Sequence, residues 1–334
     1  VVAEVPDDGP AHLVEVMGAE DRPEWDDLSV TSLHRLRTRF PRAALGEADA
    51  PGPPQAAERR GREDLRELLT FTIDPEDARD HDDALSLRAL DHGRWEVGIH
   101  IADVSHYVTP GSALDREALR RGTSCYLPGG VVPMLPERLS SDLCSLRPDH
   151  DRLCLSVMAT LDSEGKLHAR RFAATVIRSR HRLSYPEVQA ALEGGSRFGR
   201  DLQHAVETLM NLARALRRRR FAAGALELDV PEVKAWVDPH GVPIRVERRP
   251  HLESHELIEE FMLLANRCVG EEGTKRGSGM LYRVHEAPIA RKLADLDAML
   301  RALGLPRLGG AHDPARAIQS LLRAHLDPAH RRLL

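Results

Sequence analysis

Between Trp95 and Ile101 the apolar residues fall on every second position, Trp95, Val97, Ile99 and Ile101, and the same period returns at Leu153, Leu155, Val157, Ala159 and Leu161. A period of two lines these side chains along one face of a half-buried strand. Asp162-Ser163-Glu164-Gly165 has turn chemistry, so the residues from Leu167 onward are predicted to return as an antiparallel partner. After Asp201 the period lengthens to that of a helix, with Leu202, Val206, Leu209, Ala213 and Leu216 in one stripe, and Leu257, Phe261, Leu264 and Cys268 mark a second helix. A third is predicted over residues 290–303, closed by Gly304 and Pro306, and a fourth from Asp313-Pro314, an N-cap followed by a first-turn proline. Strands precede helices and no repeat is visible, which predicts an α+β protein with an antiparallel sheet core flanked by helices.

Composition narrows this picture. A hydrophobic content of 42% over 334 residues suffices for one large core or two ordinary ones. Charged residues make up 30% but balance to −5, so any nucleic acid would have to be held by a local basic groove. The four cysteines, at 125, 144, 154 and 268, form no CxxC pair and no zinc spacing, and read as buried thiols in a reducing compartment. No basic start leads into an apolar run and no run of ~18 apolar residues occurs, so neither export nor membrane insertion is indicated, and a cytoplasmic location is expected.

The first residues carry one short apolar stretch, His12 to Val16, followed by Gly18 and an acidic loop, as at the end of an earlier domain. Residues 46–63 mix Pro, Gly, Ala and charge without apolar periodicity, which predicts a solvated linker or an extended connection. The expected division is 1–18 as a terminal strand, 19–63 as connecting segment and linker, and 64–334 as the main domain.

Residues 74–83 pack Asp74, Glu76, Asp77, Asp80, Asp82 and Asp83 between apolar stretches at 68–73 and 85–87. Carboxylates beside buried structure repel one another unless a cation neutralises them, and hard oxygen donors favour magnesium, manganese or calcium over zinc. The bland alternative is a solvated acidic loop. An EF-hand fails on spacing, because counting from Asp80 puts Leu85 where glycine is needed and counting from Asp74 puts Ala78 where a ligand is needed. Two-metal phosphoryl chemistry, which gathers about four carboxylates, remains.

The stretch TIDPEDARDHDDA resembles the aspartate motif of the RNase II/RNase R (RNB) family of exoribonucleases. The similarity continues in family order through Gly98 to Val108, Tyr126 to Gly129, Pro133 to Pro136, Leu139 to Leu146, His255 to Asn266 and Leu281 to Pro288, covering residues 64 to 300, with the RNase R branch the closer. The resemblance implies an RNB-type catalytic domain that hydrolyses single-stranded RNA processively from the 3′ end to nucleoside 5′-monophosphates. It implies that Asp74, Asp80, Asp82 and Asp83 organise Mg2+, with Asp82 and Asp80 catalytic and Asp82 most directly so, whereas Glu76 and Asp77 fall outside that set. Tyr126 matches an aromatic that packs on the last nucleotide, and Tyr185 matches a position near the ribose, where a hydroxyl can read the 2′-OH. Glu259 or Glu260 shares that task; a helix turns 100° per residue, so at most one of them faces the RNA. Arg178, Arg180 and Arg182, spaced as on a strand, are expected to share one side and track a phosphate backbone, and Arg217 to Arg220 end a helix, where cations also complement the dipole and solvate the surface.

Two departures stand out. Leu228 occupies a position where the family tends to carry an aromatic clamp. The family segment around His-Phe-Thr-Ser-Pro-Ile-Arg-Arg-Tyr, whose arginine would stabilise charge on the phosphate, does not occur before Leu334, nor does an S1-type domain. A second chain supplying that segment is therefore an expected partner beside single-stranded RNA, and residues 1–18 would match the last strand of a cold-shock-type OB domain. A non-catalytic RNA-binding fragment is the competing expectation.

Overall fold

The computed structural model describes residues 2–4, 12–15, 26–195, 198–226, 232–240, 242–277, 279–284, 286–308 and 313–323. In chain order the strands are β1 (Val2–Glu4), β2 (His12–Glu15), β3 (Glu63–Asp64), β4 (Thr70–Asp74), β5 (Asp83–Ala89), β6 (Trp95–Ala102), β7 (Cys125–Leu127), β8 (Gly130–Val132), β9 (Asp151–Leu161), β10 (Leu167–Arg178), β11 (His181–Ser184), β12 (Glu232–Val237) and β13 (Pro243–Arg249). The helices are α1 (Asp26–Leu33), α2 (Arg42–Asp49), α3 (Ala56–Arg59), α4 (Val104–Tyr107), α5 (Ala113–Arg121), α6 (Tyr185–Leu192), α7 (Arg200–Ala222), α8 (Glu253–Arg276), α9 (Ala290–Ala302) and α10 (Pro314–Arg323).

The alternation from Trp95 becomes β6, and its partner β9 pairs antiparallel with both β6 and β10 across the predicted turn. The full order is β11-β4-β5-β6-β9-β10-β3. Its middle is antiparallel as expected, but both edges are parallel pairs, β11 with β4 and β10 with β3. β11 stands at one end of this order and β10 next to last at the other, although only Ser179 and Arg180 separate them in sequence. The sheet must therefore curl to bring the end of β10 close to the start of β11, and Arg180 N–H, just past the bend, donates to Thr70 O of β4 at 2.7 Å.

One face, with Phe71, Leu85, Ile99 and Val157, packs under the apolar stripes of α7 and α8, including Leu209 and Phe261. The predicted stripe Leu202, Val206, Leu209, Ala213 and Leu216 is buried throughout. The opposite face joins Ala84, Ala102, Cys154 and Met158 to Leu114 of α5 and to Leu139 and Leu143. That face also carries a buried polar chain crossing four strands. Ser86 Oγ meets His100 Nε2 at 2.9 Å, His100 Nδ1 meets Ser156 Oγ at 2.7 Å, and Ser156 Oγ meets Thr175 Oγ1 at 2.7 Å. Burial pushes the His100 imidazole down to about 4, so it is neutral at pH 7.

Residues 46–63 are largely exposed but are tied to the main domain at several points. α2 buries Ala44 and Ala48, both 0% exposed, and Arg62 pairs with the buried Asp103 at 2.5 Å. Two alanines at i and i+4 bury little area each, so composition gave no sign of an apolar stripe. The residue-228 position lies outside the described residues.

Candidate functional site

The acidic residues fall where β4 ends and β5 begins. Asp74 is the last residue of β4, Asp83 the first of β5, and residues 75–82 connect them. A loop this close to the core must pair its backbone groups, and the chain does so with long-range partners. Ser145 Oγ accepts from His81 N–H at 3.1 Å and donates to Arg79 O at 3.0 Å, bridging the backbone on either side of Asp80. Leu146 N–H donates to His81 O and Ala102 N–H to Asp82 O, at 2.8 and 2.9 Å. Beneath them Arg152, 2% exposed, donates to Ser145 O at 2.7 Å and to Asp142 O at 3.0 Å. On the outer side Arg182 Nη2 donates to Glu76 O at 2.6 Å, and Lys234 pairs with Asp77 at 2.6 Å.

Each carboxylate meets a different environment. Asp74 is buried and lies 2.8 Å from Nδ1 of the buried His81. Asp80 accepts a hydrogen bond from the Tyr126 hydroxyl at 3.2 Å. Asp82 is open to water but stands in a hollow with protein on most sides; this desolvation, then Asp80 and Asp74, raises its carboxyl to about 6. Asp83 is half-buried, and the same desolvation followed by Asp74 and Asp82 raises it to about 7. Among the described residues neither Asp82 nor Asp83 has a side-chain hydrogen-bond partner.

In donor chemistry and charge the four aspartates fit a hard divalent cation, which would relieve the repulsion that raises Asp82 and Asp83. In geometry they fit it only in part. Among the described residues no three His, Cys, Asp or Glu side chains converge as a metal-holding group, because Asp74 is turned to His81 and Asp80 to Tyr126.

Two tyrosines flank the acids. Tyr126 of β7 is 69% exposed, its ring free to take a flat partner. Tyr185 opens α6, stacks on His255 with centroids 3.9 Å apart, and is pushed up to about 12 by burial, then by Asp83 and Asp74. Glu259 is exposed, 3.8 Å from His251, and its charge reaches Tyr185. Glu260 points the other way, 4% exposed and paired with Arg220 at 3.1 Å, so the helix separates the two glutamates and Glu260 is not available to RNA. Beside Tyr185 a cavity of about 330 Å3 is lined by Pro75, Asp77, Lys234, Trp236 and His255 among others.

The predicted arginine row is not one. Arg178 ends β10 bound to Asp151 at 2.7 Å, Arg180 donates to Arg66 O at 3.0 Å beyond the bend, and Arg182 on β11 holds the acidic loop. A straight strand would have put all three on one side; the bend between β10 and β11 parts them. Arg217 and Arg220 pair with Glu256 and Glu260, and Arg214 with Glu253, an ion-pair ladder between α7 and α8. Sequence reasoning missed His81, Ser145, Arg152 and His255. His81 had one signal, a lone cationic-capable ring inside an acidic run; Ser145 and Arg152 had none, because their partners are distant in sequence.

Comparison with known proteins adds the following. The RNB domain matches residues 62–331. DIS3-like exonuclease 2 of Schizosaccharomyces pombe is 44% identical over 256 residues, 72% of this chain and 28% of that protein. Ribonuclease R of Thermotoga maritima is 40% identical over 303 residues, 88% of this chain and 42% of that protein. The chain thus spans less than half the length of these relatives. Among solved structures, Mycoplasma genitalium RNase R in complex with ribose-methylated single-stranded RNA superposes with a TM-score of 0.89 at 28% identity, covering 96% of this chain and 51% of that one. Yeast Ssd1, described as a pseudonuclease, shares the fold with a TM-score of 0.68 at 23% identity, over 84% of this chain and 34% of that one. With most of its length matched by that one domain and its fold shared with RNase R, the chain belongs to the RNB family of RNase R-like exoribonucleases.

Proposed function

We propose that this chain carries the aspartate half of a Mg2+-dependent 3′→5′ exoribonuclease site that degrades single-stranded RNA processively to nucleoside 5′-monophosphates. One observation carries the reading: Asp82 and Asp83, two crowded carboxylates raised to about 6 and 7, have no side-chain hydrogen-bond donor among the described residues and lie between two tyrosines suited to an RNA end.

Asp74, Asp80, Asp82 and Asp83 would hold the cation, Asp74 and Asp80 turning from His81 and Tyr126 to do so. Bound there, Mg2+ supplies Lewis-acid stabilisation of charge on the scissile phosphate. The residues of the chain do the remaining work. Tyr126 offers its ring to the terminal base or ribose, a contact that reads no sequence. Tyr185, fixed by the His255 stack, directs its hydroxyl to the ribose edge, with Glu259 as a second acceptor for a 2′-OH. Asp82, the most exposed of the four aspartates, would orient an attacking water and accept its proton.

Incubation of the chain with 3′-labelled single-stranded RNA and Mg2+ tests this. Mononucleotide release that disappears in Asp82→Asn is expected, and internal cuts at defined sites would sink the exonuclease reading. A second reading, a fragment that binds RNA without turnover, is favoured by the lack of a three-ligand metal group among the described residues; RNA retention with no product would support it. Adding a second chain that carries the family's arginine segment then separates an incomplete site from an inert one.

A further inference from the structure

Several arginines that the sequence offers for RNA are committed to carboxylates or backbone carbonyls, yet another set is not. Arg35, Arg39 and Arg42 follow α1, and Arg120 lies in the last turn of α5. All four are exposed, and among the described residues none has an ion-pair or side-chain hydrogen-bond partner. The segment that carries the first three has only Leu36 and Phe40 as large apolar residues, too little to order it by burial.

It is nevertheless fastened. Arg37 grips Glu117 through two hydrogen bonds of 2.8 and 2.9 Å, and the Glu117 side chain is 2% exposed. The Arg121 guanidinium lies 3.6 Å from the Phe40 ring centroid and donates to Arg39 O at 2.8 Å and to Pro133 O at 2.9 Å. Pro133 follows β8, so Arg121 ties the segment to the base of the β7–β8 hairpin, which carries Tyr126. Asp27 of α1 holds the turn of the same hairpin, accepting from Gly129 N–H at 2.9 Å. Glu47, near the end of α2, accepts from the N–H groups of Ala113 and Leu114 at the start of α5, so the two helices run antiparallel and Arg42 lies at the Arg120 end. A buried carboxylate clamping a surface segment carries a desolvation cost, which a merely connecting segment would not require.

The geometry points to Arg35, Arg39, Arg42 and Arg120 as a ledge that docks the phosphate backbone of single-stranded RNA whose 3′ end lies at Tyr126. This rests on the proposed RNA-degrading function and adds to it the side from which the strand approaches. Guanidinium groups free of protein acceptors can pair with successive phosphates, and the hairpin anchored by Arg121 and Asp27 fixes their position relative to the Tyr126 ring.

The test is equilibrium binding of oligouridylate, long enough to reach from Tyr126 across α5, to the full chain in EDTA over a range of salt. Each phosphate neutralised on a single strand contributes about 0.7 to the slope of log K against log salt, so replacing all four arginines by glutamine should flatten the slope by about 2 to 3. The melting temperature should change little, since among the described residues these exposed side chains make no hydrogen bond or ion pair. Arg178→Gln with Arg180→Gln should leave the slope intact. An unchanged slope in the fourfold variant, or a loss confined to the Arg178/Arg180 variant, overturns the ledge. Wild-type chain that binds RNA but releases no nucleotide with Mg2+ defeats the catalytic reading alone, and wild-type chain that binds no RNA defeats both.

Discussion

His81 Nδ1 lies 2.8 Å from Asp74 Oδ2, and both side chains are buried. In the tautomer with hydrogen on Nδ1 the imidazole donates to the carboxylate. His81→Ala would leave a buried carboxylate without its donor, at a cost of about 1–3 kcal/mol. Urea denaturation in EDTA should show this loss, and Mg2+ should restore more stability to the variant than to the wild type.

Asp83 gives a pH dependence of known sign. Its folded-state carboxyl is raised to about 7 from 3.8, so the folded state binds the proton more tightly. The resulting stability is fully present below pH ~4 and is lost as pH rises through ~7. Asp83→Asn should therefore melt higher than wild type at pH 8 in EDTA, by on the order of 1–3 kcal/mol after allowance for partial water screening, with the gap closing toward pH 4. A gap that widened on acidification would contradict the assignment.

Ser145→Ala removes the hydroxyl that bridges Arg79 and His81. Hydrogen exchange of a peptide covering residues 75–84 should quicken in this variant while α7 stays protected. Turnover should fall with little change in KM, because Tyr126 and Tyr185 are untouched. Ser145→Thr, which keeps the hydroxyl, should recover most of the loss.

Gly98 faces the His100 chain. A Cβ added there would overlap Ser86 Oγ and stand 2.6 Å from His100 Nε2, so Gly98→Ala should destabilise by about 2–4 kcal/mol in urea titration. His100 itself sets an acid limit. Its folded value near 4 lies below the ordinary 6.5, so the stability it contributes is present above pH ~6.5 and is lost as pH falls through ~4. His100→Gln should flatten that part of the acid-denaturation curve.

Tyr126→Ala should weaken binding of an RNA 3′ end by about 1–3 kcal/mol, the worth of one stacked base, and Tyr126→Phe should retain most of it. Fluorescence anisotropy with a 3′-labelled oligonucleotide in EDTA measures both.

What could be read in advance divides by distance along the chain. The strands at 95–102 and 151–178 and the helices α7 to α10 follow from local period, and the acidic run from its composition between apolar neighbours. The edges of the sheet did not follow, because β11 reaches β4 across more than a hundred residues and no local pattern encodes a parallel partner. α2 was hidden by the smallness of Ala44 and Ala48. The arginine row failed for the same physical reason as the edges: Arg178 and Arg182 obey strand spacing, but Ser179 and Arg180 turn the chain from β10 into β11. Glu259 and Glu260 were separable only in part, since the helix says that one faces in and not which.

The register between β4 and β11 pairs Asp74 with Ser184. Pro75 and Tyr185 therefore leave the sheet side by side, one leading into the acidic loop and the other into α6. The spacing between the group that would meet the metal and the ring that would meet the ribose is thus ruled by a ladder of backbone hydrogen bonds, not by side-chain choice. Insertions within residues 75–80 would leave that ruler unmoved, whereas a single residue inserted into β11 would shift Tyr185 away from Asp74 with every acidic side chain still present.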